Sequence, residues 1–175
     1  MRGRYHLGMR RLIAILLLCT PTLAAPADDF VAQGQAALRA MDIVAAMSAF
    51  DTALKSDPNH VQAAYERGRV LLKIGEAEKA VADFTIAVIG DPQFGLAYVR
   101  RGEAKFILKD VGSALTDFDQ AVVVSPSLPE VFIVRATYRM KVDNFSGARE
   151  DLAAAIAVSE GEQKAKLQRM LDRMR

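Results

Sequence analysis

The sequence predicts an all-α solenoid of stacked helix hairpins, and three observations predict it. One phrase is written three times at a fixed interval of 34 residues: AFDTALKSDP (49–58), DFTIAVIGDP (83–92) and DFDQAVVVSP (117–126). Shifting the chain by the same 34 residues aligns small, aromatic and proline positions in columns. Within each phrase the apolar residues recur at helical spacing, and a proline ends it. Self-similarity at such a period marks a repeat architecture in which each unit is one supersecondary element.

The columns justify the elements in turn. Gly34, Gly68 and Gly102 fall together, with Ala136 fourth, on the first helix of each unit. On the second helix, Ala46, Ala80, Ala114 and Ala148 form a column, as do Ala53, Ala87, Ala121 and Ala155. Between them stand Phe50, Phe84 and Phe118, with Leu152 fourth. Steps of four and three residues put these positions on one helix face. Small residues let two helices approach closely, and the phenylalanine fills the space beside them. "IGE" at 74–76 reads as the turn inside the second unit. Pro58, Pro92 and Pro126 cannot continue a helix interior, and each biases the residue before it toward extended backbone. The units are 27–60, 61–94, 95–128 and 129–162. One hairpin cannot bury its apolar face alone, so the next hairpin covers it.

A second internal comparison concerns charge. Arg67, Arg101 and Arg135 share one column, and Asp83, Asp117 and Asp151 share another sixteen residues later. In the first unit both partners are replaced together, by Gln33 and Ala49. The columns predict an Arg–Asp pair between the two helices of units two to four. Read as an exposed pair, it contributes about 0.2–1 kcal/mol. The end of the chain, 163–175, carries Leu167, Met170, Leu171 and Met174 at the spacing of an amphipathic helix. Its expected role is to cap the open end of the stack. A dimerisation or membrane-surface helix is the alternative.

The five columns resemble the tetratricopeptide repeat, whose small-residue, Ala, Phe, Ala and Pro positions have this order and spacing, across residues 27–162. An aromatic near the start of each unit is present as Phe30, Tyr98 and Phe132, while Ala64 departs from the pattern. The resemblance implies a right-handed α-solenoid whose first helices line a concave groove. It places Val31, Tyr65, Val99 and Ile133 in an apolar row on that groove. Gln35, Arg69, Glu103 and Thr137 would face it too, as would Arg39, Lys73, Ile107 and Lys141. Some family members clamp a C-terminal carboxylate with Lys and Asn side chains. The matching positions here are Val31, Gln35, Glu66, Leu96 and Arg100, and only Arg100 suits that task.

The first residues read as a targeting segment. Arg2, Arg4, Arg10 and Arg11 precede the apolar run LIAILLL, followed by Pro21 and an Ala-x-Ala site at 25–27. These are the parts of a secretory signal peptide, 1–27, with cleavage expected after Ala27 or, second, after Ala24. The run 12–20 has nine residues, and a membrane-spanning helix needs about 20. Leu18 before Cys19 is not the small residue a lipid-attachment site takes. Removal of 1–27 changes the formal net charge from +2 to −2. That balance argues against bulk nucleic-acid binding, which needs a basic footprint. Cys19 is the only cysteine, so a processed chain would hold no disulfide.

Little in the sequence points to catalysis. Beyond the leader the one histidine is His60, read as a solvated turn residue, so no His/Cys metal cluster can be assembled. No nucleophile elbow and no glycine-rich phosphate loop is written. The reading is therefore a non-enzymatic protein-interaction scaffold of the periplasm or bacterial cell envelope, needing no cofactor. Its partner would be a protein or peptide with acidic and hydrophobic residues, held by Val31, Gln35, Tyr65, Arg69, Lys73, Val99, Glu103, Ile133 and Lys141. The alternatives are a self-assembling envelope protein, or a small-molecule carrier or enzyme using the groove as a pocket.

Overall fold

The structure, a computed structural model, describes residues 26–174. The leader read at 1–27 lies outside the described residues except for Pro26 and Ala27. The described residues form helices α1 (Ala27–Arg39), α2 (Ile43–Ser56), α3 (Val61–Lys73), α4 (Ala77–Gly90), α5 (Gly95–Ile107), α6 (Val111–Val124), α7 (Pro129–Lys141), α8 (Phe145–Ala157) and α9 (Gly161–Asp172). Each odd helix from α1 to α7 packs on the even helix that follows it, and each such hairpin packs on the next. The helix α9 packs on α8 and buries Leu167 there, with Met170, Leu171 and Met174 against the same cluster. The stack is an all-α helical repeat.

The closest approach inside each hairpin is at the glycine column. A Cβ on Gly68 would stand 2.8 Å from the Phe84 ring, and one on Gly102 would stand 2.7 Å from Phe118. Phe50, Phe84 and Phe118 are fully buried, and Gly34 lies against Phe50 in the same way. The fourth unit changes both partners. Ala136 brings the extra methyl, and Leu152 is shorter than the phenylalanine it replaces.

The arginine column does more than pair within its hairpin. Arg67 donates from Nε and Nη2 to the Asp83 carboxylate at 2.8 and 2.6 Å, and from Nη1 back to Asp51 on the preceding hairpin at 2.8 Å. Arg135 likewise grips Asp151 with Nε and Nη2 and reaches back to Asp119 at 2.8 Å. In the third unit Arg101 grips Asp117, and its backward partner is the Thr85 hydroxyl at 3.4 Å. Each guanidinium therefore ties three helices of two units. The expectation of an exposed, weak pair needs correcting, because Asp83, Asp117 and Asp151 are only 2–3% exposed. The hydrogen bond to Asp83 is the chief reason Arg67 is held above its ordinary ionisation range, against the opposing effect of burial.

The turns share a device that the sequence shows only once. Met41, Gly75, Lys109 and Asp143 occupy the same position in the four units, and all have positive φ, between 60° and 89°. The residue after each donates its N–H back to the carbonyl five residues earlier, as in Glu76 to Leu71 and Asn144 to Arg139. This is the left-handed helix ending in which glycine is the usual occupant, and only Gly75 supplies it. Asp42, Asp110 and Asn144 then cap the following helix by accepting an N–H from its first turn. His60 is no solvated turn residue. It is half-buried, its Nδ1 accepts the Ala63 N–H at the start of α3, and its Nε2 meets Asp28 at 3.0 Å.

Two outcomes follow from this packing. Replacing Arg67 with Ala leaves Asp83 buried without a partner, because no other cation among the described residues reaches it, and lowers stability by about 3–5 kcal/mol. Arg135→Ala does less, because Arg139 still contacts Asp151 at 3.0 Å. Adding Asp83→Ala to Arg67→Ala, which copies the uncharged state of unit one, recovers most of the loss; urea unfolding checks all three. Gly102→Ala costs about 1–3 kcal/mol by overpacking against Phe118. Combining it with Phe118→Leu, the pairing of unit four, returns part of that loss in the same assay.

Candidate functional site

The spacing of the two helix rows defines the inner side of the stack. Each odd helix touches the next odd helix, α1 with α3, α3 with α5 and α5 with α7, whereas α2, α4, α6 and α8 make no such contacts with one another. The row that packs more closely lies on the inside of a curve. The odd helices therefore line the concave face, and residues on their free sides form its floor.

The apolar row expected on that floor is mostly elsewhere. Val31 and Tyr65 are 6% exposed and Val99 is 1% exposed. Val31 packs with Ala63 and Ala64 of unit two, and Val99 packs with Val131 and Phe132 of unit four. The Tyr65 ring lies tilted against that of Phe94, 4.6 Å between centroids, and packs with Ala97 and Ala104 of unit three. These three side chains join neighbouring hairpins and offer little surface to a ligand. The reason is geometric: position five of each first helix points along the stack axis toward the next unit. Ile133 is half-buried.

The polar positions do come together on the concave face. Glu66, 6% exposed, accepts hydrogen bonds from Gln62 Nε2 at 2.9 Å, Arg69 Nη1 at 2.8 Å and Gln35 Nε2 at 3.3 Å. Arg69 also lies over the Tyr65 ring, 5.7 Å from its centroid. On the neighbouring helix Arg100 Nη1 donates to Glu103 at 2.7 Å. Burial works to lower the ionisation range of Arg100, but the Glu103 carboxylate outweighs it and the guanidinium is held above its ordinary value. Arg69, Leu72, Lys73 and Arg100 enclose a surface cavity of about 250 Å³ between α3 and α5. Lys73 is exposed and has no ion-pair partner among the described residues. Further along, Lys141 Nζ stands 4.2 Å from the Tyr138 ring centroid and 5.5 Å from that of Phe106. Ile107 is 54% exposed beside them in sequence register. Arg39 is exposed at the end of α1, and the Thr137 hydroxyl donates to the Ile133 carbonyl.

Leu72, Phe106 and Tyr138 belong to this face and were not singled out for it from the sequence, and Glu66 was named only as a clamp position that does not suit a carboxylate. The legible signal was the spacing of Glu66–Arg69 and Arg100–Glu103, opposite charges three apart on one helix, which face each other. Among the described residues no group of three or more His, Cys, Asp or Glu is placed to hold a metal ion. No helix among them is long and apolar enough to cross a membrane.

Residues 31–93 match the tetratricopeptide repeat family model. The structure resembles MamA (residues 41 to the end) from Desulfovibrio magneticus RS-1, with a TM-score of 0.68, 24% identity and coverage of 75% of each chain. It resembles a thermophilic tetratricopeptide-repeat protein of Thermus thermophilus, with a TM-score of 0.68, 22% identity and coverage of 84% of each. The first repeat domain of Spaghetti (RPAP3), solved bound to the HSP90 peptide SRMEEVD, aligns with a TM-score of 0.62 and 19% identity, covering 67% of this chain and 93% of that one. No curated protein matches the chain in sequence.

Tyr138 gives a test of the concave-face geometry. Burial raises its phenol above the ordinary tyrosine value, and the Glu103 carboxylate raises it further while Arg100 opposes. A raised folded-state value keeps the neutral phenol favoured, so its share of stability is present below the unfolded value, near 10, and is lost as pH rises through the folded one. The tyrosinate absorbance assigned by difference against Tyr138→Phe is expected to develop later than that of free tyrosine, and earlier again in Glu103→Gln.

Proposed function

We propose that this chain, which is a tetratricopeptide-repeat protein, is an interaction scaffold of the bacterial periplasm or cell envelope that docks a segment of a protein partner along α1, α3, α5 and α7. One observation carries the reading. The concave face presents Arg69, Lys73, Arg100 and Lys141, while the carboxylates beside them, Glu66 and Glu103, are already engaged by internal hydrogen bonds. Such a face suits an extended segment bearing acidic and hydrophobic residues. The peptide held by the Spaghetti domain, whose fold is similar, supports segment docking as the mode. Export is supported by the basic, apolar and small-residue order of the first 27 residues. Of the two cleavage positions, the one after Ala24 fits the folded chain better. It keeps Pro26, whose carbonyl accepts the Asp29 N–H at 2.9 Å, and Ala27, which packs on the first core cluster.

The mechanism makes and breaks no covalent bond. The helices hold the cations in place before the partner arrives, so less conformational entropy is lost on docking than with free side chains. The test is photo-cross-linking in living cells, with the reactive group at Ile107 on the concave side or at Ile89, 73% exposed on α4. Adducts to a second protein from Ile107 and none from Ile89 are expected. The reverse pattern moves the docking surface to the even helices, and adducts to the chain itself replace the reading with self-assembly.

A further inference from the structure

We propose that the cavity between α3 and α5 is an anchoring subsite for one internal acidic side chain, an aspartate or glutamate, of the docked segment. The proposal rests on the groove reading above and assigns the point at which the segment is fixed.

The subsite is built from two restrained cations and one free one. Arg69 is restrained by Glu66 at 2.8 Å and by the Tyr65 ring beneath it, and Glu66 is itself held by Gln62 and Gln35. That pairing uses Arg69 Nη1, and Nη2 makes no hydrogen bond among the described residues. Arg100 is restrained by Glu103, and its Nε is buried with no acceptor among the described residues. Lys73 completes the rim, with the Leu72 side chain as the apolar part of the lining. Two carboxylates offset two guanidiniums, which leaves one uncompensated positive charge, that of Lys73. A single carboxylate matches that charge, and a doubly charged phosphate exceeds it. Charge-assisted hydrogen bonds from a guanidinium and an ammonium to one carboxylate are the strong kind.

The position in the stack selects an internal residue rather than a chain end. The cavity lies in units two and three, and the odd row continues past it on both sides, through α1 and through α7. A segment lying along the row passes over the cavity and extends in both directions. Toward α7 it meets exposed Ile107 and the Phe106–Tyr138 pair, whose rings are 4.7 Å apart, so apolar residues suit the flank on that side.

The experiment is selection from a displayed library of random nonapeptides whose C-termini are joined to the carrier, on immobilised protein. Selected peptides are expected to share an internal Asp or Glu with apolar neighbours. A selected peptide, made with an amidated C-terminus, should bind about tenfold more weakly when its acid is changed to the amide, and about tenfold more weakly to Lys73→Gln. Lys164→Gln, on α9 and away from the odd row, should change affinity by less than about twofold. Lys73 is exposed, so its substitution leaves the fold intact, and an unchanged far-ultraviolet circular dichroism spectrum confirms that. Selected peptides without a shared acid, or acid dependence that Lys73→Gln leaves unchanged, overturn the subsite while docking in the groove stands. Selection of no peptide at all overturns the subsite together with the groove reading.

Discussion

A guanidinium in the packed interior of a hairpin needs a carboxylate within reach, and this requirement couples the two helices of units two, three and four. Arg67 and Arg135 each hold a buried aspartate of their own hairpin with two nitrogens and an aspartate of the preceding hairpin with the third. Removing one member strands a charge in a place that water does not reach. The stack thus tolerates the pair or its joint absence, and unit one shows the joint absence with Gln33 and Ala49. Apolar burial supplies the driving force for stacking, but it is not directional. The forked hydrogen bonds are, and they tie α3 and α7 to the hairpin before each, while the Thr85 hydroxyl does so for α5.

The same interaction changes toward the two ends of the described array. Gln33 stands where Arg67, Arg101 and Arg135 stand in the later units. At the other end, Ala153 stands where Asp51 and Asp119 stand in their units, so α8 offers no carboxylate to the helix after it. The helix α9 docks there through Leu167 and its apolar neighbours, with Lys164, Lys166 and Arg169 exposed on the outer side. The ladder of charge closes with the fourth hairpin, and an apolar seal with a polar outside follows it, as an open-ended stack requires.

Most of this fold could be read from the sequence because close packing is demanding. Only glycine fits beside Phe84 or Phe118, so the glycine and phenylalanine columns are written in plain sight. Two things could not be read. The left-handed turn residue is Met41, Lys109 or Asp143 in three units, since backbone geometry there is imposed by the hairpin and local propensity is overridden; only Gly75 announces it. The apolar row at position five announced its periodicity but not its direction. An apolar residue every 34 positions serves an inter-unit seam and a groove floor equally well, and only burial against the neighbouring unit shows that Val31, Tyr65 and Val99 face the seam. The pairing of Glu66 with Arg69 and of Arg100 with Glu103 went unread, although opposite charges three apart on one helix face each other.

The two kinds of position behave differently when the units are compared with one another, and the difference supports the concave face as the proposed docking surface. Positions that hold the hairpin together repeat: small residue, alanine, aromatic, alanine, proline. Positions on the concave face do not. One of them is Glu66, Arg100 and Val134 in successive units, another is Gln35, Arg69, Glu103 and Thr137, and a third is Arg39, Lys73, Ile107 and Lys141. A surface that served only to be wet would be indifferent to the order of these residues and would not bury Glu66 to hold Arg69 in place. A buried carboxylate is destabilising unless fully hydrogen-bonded, and here it takes three donors from two helices to satisfy it. Only the Gln35 bond crosses between units, and the units further along stack without its equivalent. The arrangement restrains Arg69 through one nitrogen and leaves the other free, which is what the proposed subsite requires.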